Sequence, residues 1–157
     1  MDFEVVDIDL GTIMMHLDSS ALSMLRAVFG MGLLTLVMAL WMSVVRTRAM
    51  REHGMSLQDA AHTATLTARL PSSATRLADN YKHLLETPTL FYAVVLAIVV
   101  AGIASPLYAG CAWAFLACRT LHSLVQATFN LVSIRASLYA LSWIALGILI
   151  VRPILRL

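Results

Sequence analysis

Charge is what this chain has least of. Of its 157 residues only 13% are charged and 60% are hydrophobic, with a mean hydropathy of +0.82. A soluble domain carries about 25% charged residues, and one of this length buries only part of its surface. Lipid therefore replaces water as the solvent for much of the chain. Cysteine is scarce too. Cys111 and Cys118 lie seven residues apart in one apolar segment, on one helix face at membrane depth, where a disulfide staple has little use; both read as small packing residues. Cys118 and His122 stand one turn apart, but with no third thiol or carboxylate beside them no metal site is expected. The chain lacks internal repeats and low-complexity tracts, and a net charge of +2 is too small to suggest nucleic acid as a partner. Its first residues, MDFEVVDIDL, are acidic where a secretory leader is basic, and no small-residue cleavage site follows, so no signal peptide is expected.

What the chain does have is long apolar runs. A membrane-spanning helix needs about 20 apolar residues to cross roughly 30 Å of hydrocarbon, and four segments qualify: about 21–45, 73–101, 107–133 and 135–151. They are too long and too unalternating for barrel strands, which leaves helices as the way to satisfy backbone groups in lipid. Ser19 and Ser20 precede the first as candidate caps, and its one charge, Arg26, sits near the start where it can snorkel. Gly102, Ser105 and Pro106 mark a tight turn, and Pro153 closes the last segment. One true loop, 46–72, separates the first two spans; Ser56 to Asp59 resembles a capping box and Pro71 a break. Short connections make neighbouring helices antiparallel, so the expected fold is all-α, a single up-down-up-down four-helix membrane bundle.

Orientation follows from basic residues. Arg46, Arg48, Arg51, Arg69, Arg76 and Lys82 flank or occupy the first connection, and Arg135 joins the third. The positive-inside rule predicts that both are cytoplasmic. Trp41, Trp113 and Trp143 read as interface anchors or packing residues.

The informative residues are polar ones placed where they are expensive. Arg119, His122, Gln126, Asn130 and Ser133 recur three or four apart in the third segment, hence on one face. The second segment opens with Arg76, Asn80, His83 and Glu86, and the fourth with Arg135 and, one turn on, Tyr139. A charge at bilayer depth costs about 2.5–3.5 kcal/mol even on the lenient insertion scale, so such stripes face each other or a wet cavity. Taken singly, Gln126, Asn130 or Ser133 can be interhelical glue. Several arginines at one end of a bundle need an anion, and the carboxylates of Asp79 and Glu86 do not balance Arg46, Arg76, Arg119 and Arg135. An anionic ligand site is expected there.

These spacings resemble the MAPEG family, the membrane-associated proteins of eicosanoid and glutathione metabolism. The family's second helix opens Arg-x-x-x-Asn-x-x-Glu with a proline shortly after; here the stretch is Arg76-Leu-Ala-Asp-Asn80-Tyr-Lys-His83-Leu-Leu-Glu86-Thr-Pro88. The family's Arg-x-x-His on the third helix is similar to Arg119-Thr-Leu-His122, and its second arginine, 16 residues on, to Arg135, with Tyr139 four further. Val45-Arg46-Thr-Arg48 looks like the basic exit from the first helix, and Glu86-Thr-Pro-Thr-Leu-Phe-Tyr92 looks most like the small bacterial branch.

The resemblance implies a homotrimer in the membrane, a bacterial inner membrane for this branch, with glutathione as co-substrate between protomers near the cytoplasmic face. Arg46, Arg76 and Asn80 would hold its carboxylates and backbone, Arg119 and His122 would shape the cavity, and Arg135 would stand by the thiol. The implied activity is that of a glutathione-dependent transferase or peroxidase acting on lipophilic electrophiles or hydroperoxides. Two positions depart from the pattern: the motif glutamate that meets the ligand's amino group is His83, and a tyrosine seven residues after the first helix-three arginine is Gln126. They motivate an alternative, a non-catalytic protein of the same fold holding an anionic lipid or a partner. A haem carrier with His83 and His122 as axial ligands is a third reading.

Overall fold

The computed structural model describes residues 18–56, 58 and 70–156. The acidic N-terminus and most of the first loop, with the capping-box reading and Arg69, lie outside them. Four helices follow in order: α1 (Ser19–Glu52), α2 (Ser72–Val100), α3 (Pro106–Ala127) and α4 (Val132–Ile154). The described residues contain no strand.

The helix ends differ from the apolar limits for local reasons. α1 continues past Val45 because Arg, Ala, Met and Glu are good helix formers, and Arg48 Nε pairs with Glu52 Oε1 at 2.9 Å one turn on. Gly54, with φ +63°, then terminates it, and the Met55 N–H closes back on the Met50 carbonyl. Gly102 (φ +67°) plays the same part after α2. α3 starts as Ser105 and Pro106 predict, with the Ser105 side chain accepting from the Tyr108 N–H and Pro106 in the first turn. It stops at Ala127, short of Ser133, because Asn130 takes the left-handed conformation (φ 52°). Asn130 therefore belongs to the turn, and Ser133 to α4 rather than to the polar face of α3.

α1 packs on α2 and α3, and α3 packs most extensively on α4, while α2 and α4 touch only lightly. The helices thus run around the bundle in the order α1, α2, α4, α3, with one loosely closed seam between α2 and α4. Along α1, Met24, Met31 and Met38 repeat every seven residues and are buried with Ala27, which suits an unbranched side chain that fills irregular gaps. Phe91 of α2 stacks on Phe115 of α3, ring centroids 4.4 Å apart and 7° from parallel. Trp113 donates to Ser23 Oγ at 3.0 Å, tying α3 to α1. Large apolar side chains such as Phe29, Leu36 and Ile144 point outward, as they do when the surrounding solvent is lipid.

By length and composition α1, α2 and α4 are each able to cross a membrane. α3 falls below that mark because it carries Arg119, His122 and Gln126, all buried within the bundle. The chain is an integral membrane four-helix bundle whose most polar helix is the most shielded from lipid.

Candidate functional site

The polar rows meet at one end of the bundle, where α2 begins, α3 ends and α4 begins. On α2, residues 76, 79, 83 and 86 advance by three, four and three, so they share a face. That face looks into a cavity of about 240 Å³ at the α2–α4 seam, lined by Arg76, Asp79, Lys82, His83 and Glu86 together with Gln126, Asn130 and Arg135. Three cations and two carboxylates therefore ring one hollow.

Lys82 joins the hollow without a sequence signal beyond its charge, whereas Asp79 stands there with Glu86 as the carboxylates expected near the arginines. Asn80 turns about 100° away from Asp79 and is wholly buried in the bundle, not in the cavity wall. Arg46 does not line the cavity either. Of the four arginines expected to converge, the hollow itself receives Arg76 and Arg135.

Arg135 is held in place from both sides of its turn. Its Nη1 donates to Asn130 Oδ1, and its main-chain carbonyl faces His122 Nδ1 at 3.0 Å. His122 Nε2 lies 3.1 Å from Gln126 Oε1. The imidazole thus bridges the main chain of α4 to a side chain of α3, and the Arg135 guanidinium is tethered by Asn130 in the turn before α4. Arg76 Nη1 donates to the Thr128 carbonyl at 3.3 Å, anchoring the start of α2 to the end of α3. His83 Nδ1 sits 3.4 Å from Glu86 Oε2 within α2.

Arg119 is different. It is 1% exposed and lies behind the cavity, its Cζ 5.0 Å from the Tyr139 ring centroid and 5.4 Å from that of Phe115. Glu86 and Tyr139 are within electrostatic reach of it. None of its three guanidinium nitrogens has a hydrogen-bond partner among the described residues, and the same holds for both polar atoms of the Asn80 amide, Ser123 Oγ and Arg135 Nε. An unmet buried polar group costs about 1–3 kcal/mol, so this cluster lowers the stability of the single bundle. Tyr139 is also 6.1 Å from the His122 ring and 6.3 Å from Trp143, centroid to centroid, which makes it the hinge between the polar cluster and the apolar surface of α4. Among the described residues no group of His, Cys, Asp and Glu is placed to hold a metal ion.

A family model, the MAPEG family, matches residues 24–155 of the chain. No curated protein and no solved structure matches it.

Proposed function

The chain belongs to the MAPEG family, a family of membrane glutathione transferases, peroxidases and related proteins, and from that premise we propose that it is a glutathione-dependent transferase or peroxidase acting on lipophilic electrophiles or hydroperoxides. The observation that carries this reading is the mixed charge of the seam cavity. Glutathione has two carboxylates, one ammonium and a thiol. Arg76 and Arg135 suit the carboxylates, since a guanidinium binds them in a bidentate fork. Asp79 and Glu86 line the same hollow and suit the ammonium, a role that His83 cannot take over from the family's glutamate. The unmet polar atoms of Asn80 and Arg119 fit a polar guest reaching past the cavity wall.

Bound there, glutathione supplies a nucleophilic sulfur whose ordinary pKa, about 8.5, leaves only a few per cent ionised at neutral pH. The role of Arg135 is to hold positive charge where that sulfur charge develops. Arginine suits this because it stays protonated where lysine would not. Asn130 tethers its guanidinium and His122 holds its main-chain carbonyl. Tyr139, beside Arg119 and next to the apolar face of α4, borders the route from lipid. The loosely packed seam is open on its outer side, and we place a second copy of the chain there, in a homotrimer, with the first and third connections facing the cytoplasm of a bacterial inner membrane.

The test is the thiolate absorbance of the protein titrated with glutathione. In Arg135→Ala that signal disappears and kcat/KM for conjugation falls about 100-fold or more, the size expected when one preorganised donor to a developing anion is lost. Unchanged absorbance in this variant removes Arg135 from the chemistry. A second reading, a non-catalytic binding protein, draws on the His83–Glu86 contact, which engages one of the two carboxylates left for an ammonium. It predicts no heat on titration with glutathione.

A further inference from the structure

We propose a second binding site at the opposite end of the bundle, independent of the glutathione reading, that takes an anionic phospholipid: its phosphate at the Arg156 side of a cavity beside the start of α3 and one acyl chain in a groove on α4. The cavity, about 280 Å³, is lined by Ser105, Tyr108 and Arg156 with the turn residues Ile103 and Ala104. Tyr108 is 2% exposed. It belongs to the cavity wall, where a tyrosine offers a hydroxyl able to donate to a polar guest.

The start of α3 adds little donor capacity of its own. Pro106 has no N–H, and the Tyr108 N–H is directed to Ser105 Oγ at 3.4 Å. The helix end contributes its partial positive charge, and donors must come from Tyr108, Ser105 and Arg156. Among the described residues no carboxylate lines this cavity, in contrast to the hollow at the other end with Asp79 and Glu86. Its chemistry suits a group that is anionic throughout, with no ammonium to be met.

The groove of about 470 Å³ lies next in sequence on both helices: Leu107 precedes Tyr108, and Leu155 precedes Arg156. It is walled by Leu107, Ile144 and Val151 and reaches Arg152 at its polar end. Gly147 forms part of the wall, and nothing lies within 4 Å of where a Cβ would stand there, so the space belongs to whatever lies on the helix. Arg152 lies on the last turn of α4 and Arg156 just past its end, and both are exposed. From Gly147 to the end of α4 at Ile154 the helix rises about 10 Å, at roughly 1.5 Å per residue, so an apolar channel leads to the guanidiniums of Arg152 and, just past the helix, Arg156. That sequence of surfaces matches an acyl chain followed by a phosphate.

The test is native mass spectrometry of the full-length protein released from nanodiscs holding equal parts of phosphatidylglycerol and phosphatidylcholine. Wild type retains the anionic lipid in preference. Arg156→Gln and Tyr108→Phe each lower its retention about tenfold, the loss of one hydrogen bond to a charged group. Gly147→Leu lowers it as well by filling the groove, with thermal unfolding in lipid-free detergent unchanged. Arg135→Ala, at the far end, retains lipid like wild type whatever its activity. Equal retention of the two lipids, or wild-type retention in all three variants, overturns the proposal. Displacement of the lipid by inorganic phosphate alone, with Gly147→Leu silent, overturns the lipid assignment in favour of a free phosphate.

Discussion

Arg119 lies with its guanidinium carbon 5.0 Å from the centre of the Tyr139 ring, and this contact joins the third helix to the fourth at the level of the polar cluster. A cation with no carboxylate hydrogen-bonded to it is held here by an aromatic face. A desolvated cation–π pair is worth about 2 kcal/mol. Tyr139→Phe keeps that face and leaves thermal unfolding within about 0.5 kcal/mol of wild type, while Tyr139→Leu loses most of the pair. Equal unfolding of the two variants in mild detergent excludes the contact as a source of stability.

Asn130 does two separable things. Its backbone sits at φ 52°, which glycine adopts freely and alanine adopts at a cost of about 1 kcal/mol, and its Oδ1 accepts from Arg135. Asn130→Gly therefore leaves the fold near wild-type stability and frees Arg135, lowering turnover at unchanged unfolding temperature. Asn130→Ala lowers both. A turnover unaffected by Asn130→Gly means that Arg135 does not depend on the tether.

Asn80 tests the idea that the buried cluster serves binding. Both polar atoms of its amide lack partners among the described residues, so Asn80→Ala, which removes them, costs less than about 1 kcal/mol of stability; Asn80→Leu keeps the branched shape but adds volume. Asn80→Ala also loses glutathione binding in isothermal titration. A larger loss of stability in Asn80→Ala shows that the amide is paired in the membrane and contributes to the fold.

Two nearby glycines on α1 are expected to respond differently. A Cβ on Gly30 stands 2.7 Å from Leu116 Cδ2, so Gly30→Ala moves the end of that side chain at a cost of about 1 kcal/mol, which offsets the gain in helix propensity and leaves stability near wild type. Gly32 has nothing within 4 Å, and Gly32→Ala gains about 1 kcal/mol of helix propensity. Leu116→Ala in the Gly30→Ala background recovers the clash, a non-additive pair in a double-mutant cycle. Strict additivity would falsify the close approach of α1 and α3.

The membrane bundle was legible in the sequence because lipid imposes a one-dimensional rule: an apolar run long enough to cross must be a helix. The polar rows were legible because i, i+3 and i+4 residues share a face, and the arginine, histidine and tyrosine spacings carried the family. Helix ends were less so. Composition stopped α1 at Val45, whereas capping by Gly54 decides the matter, and it carried α3 to Ser133, whereas the left-handed Asn130 stops it.

Which side of a polar helix looks into which space depends on the neighbours. Asp79 and Asn80 are consecutive, yet one lines the cavity and the other is buried in the bundle. Arg119 and Arg135 look alike as letters, but one is closed in behind Phe115 and Tyr139 and the other reaches the hollow. Residue type and periodicity determine that a charge must be sheltered from lipid. Only the packing of α2 against α4, loose where the other seams are tight, decides where the shelter opens.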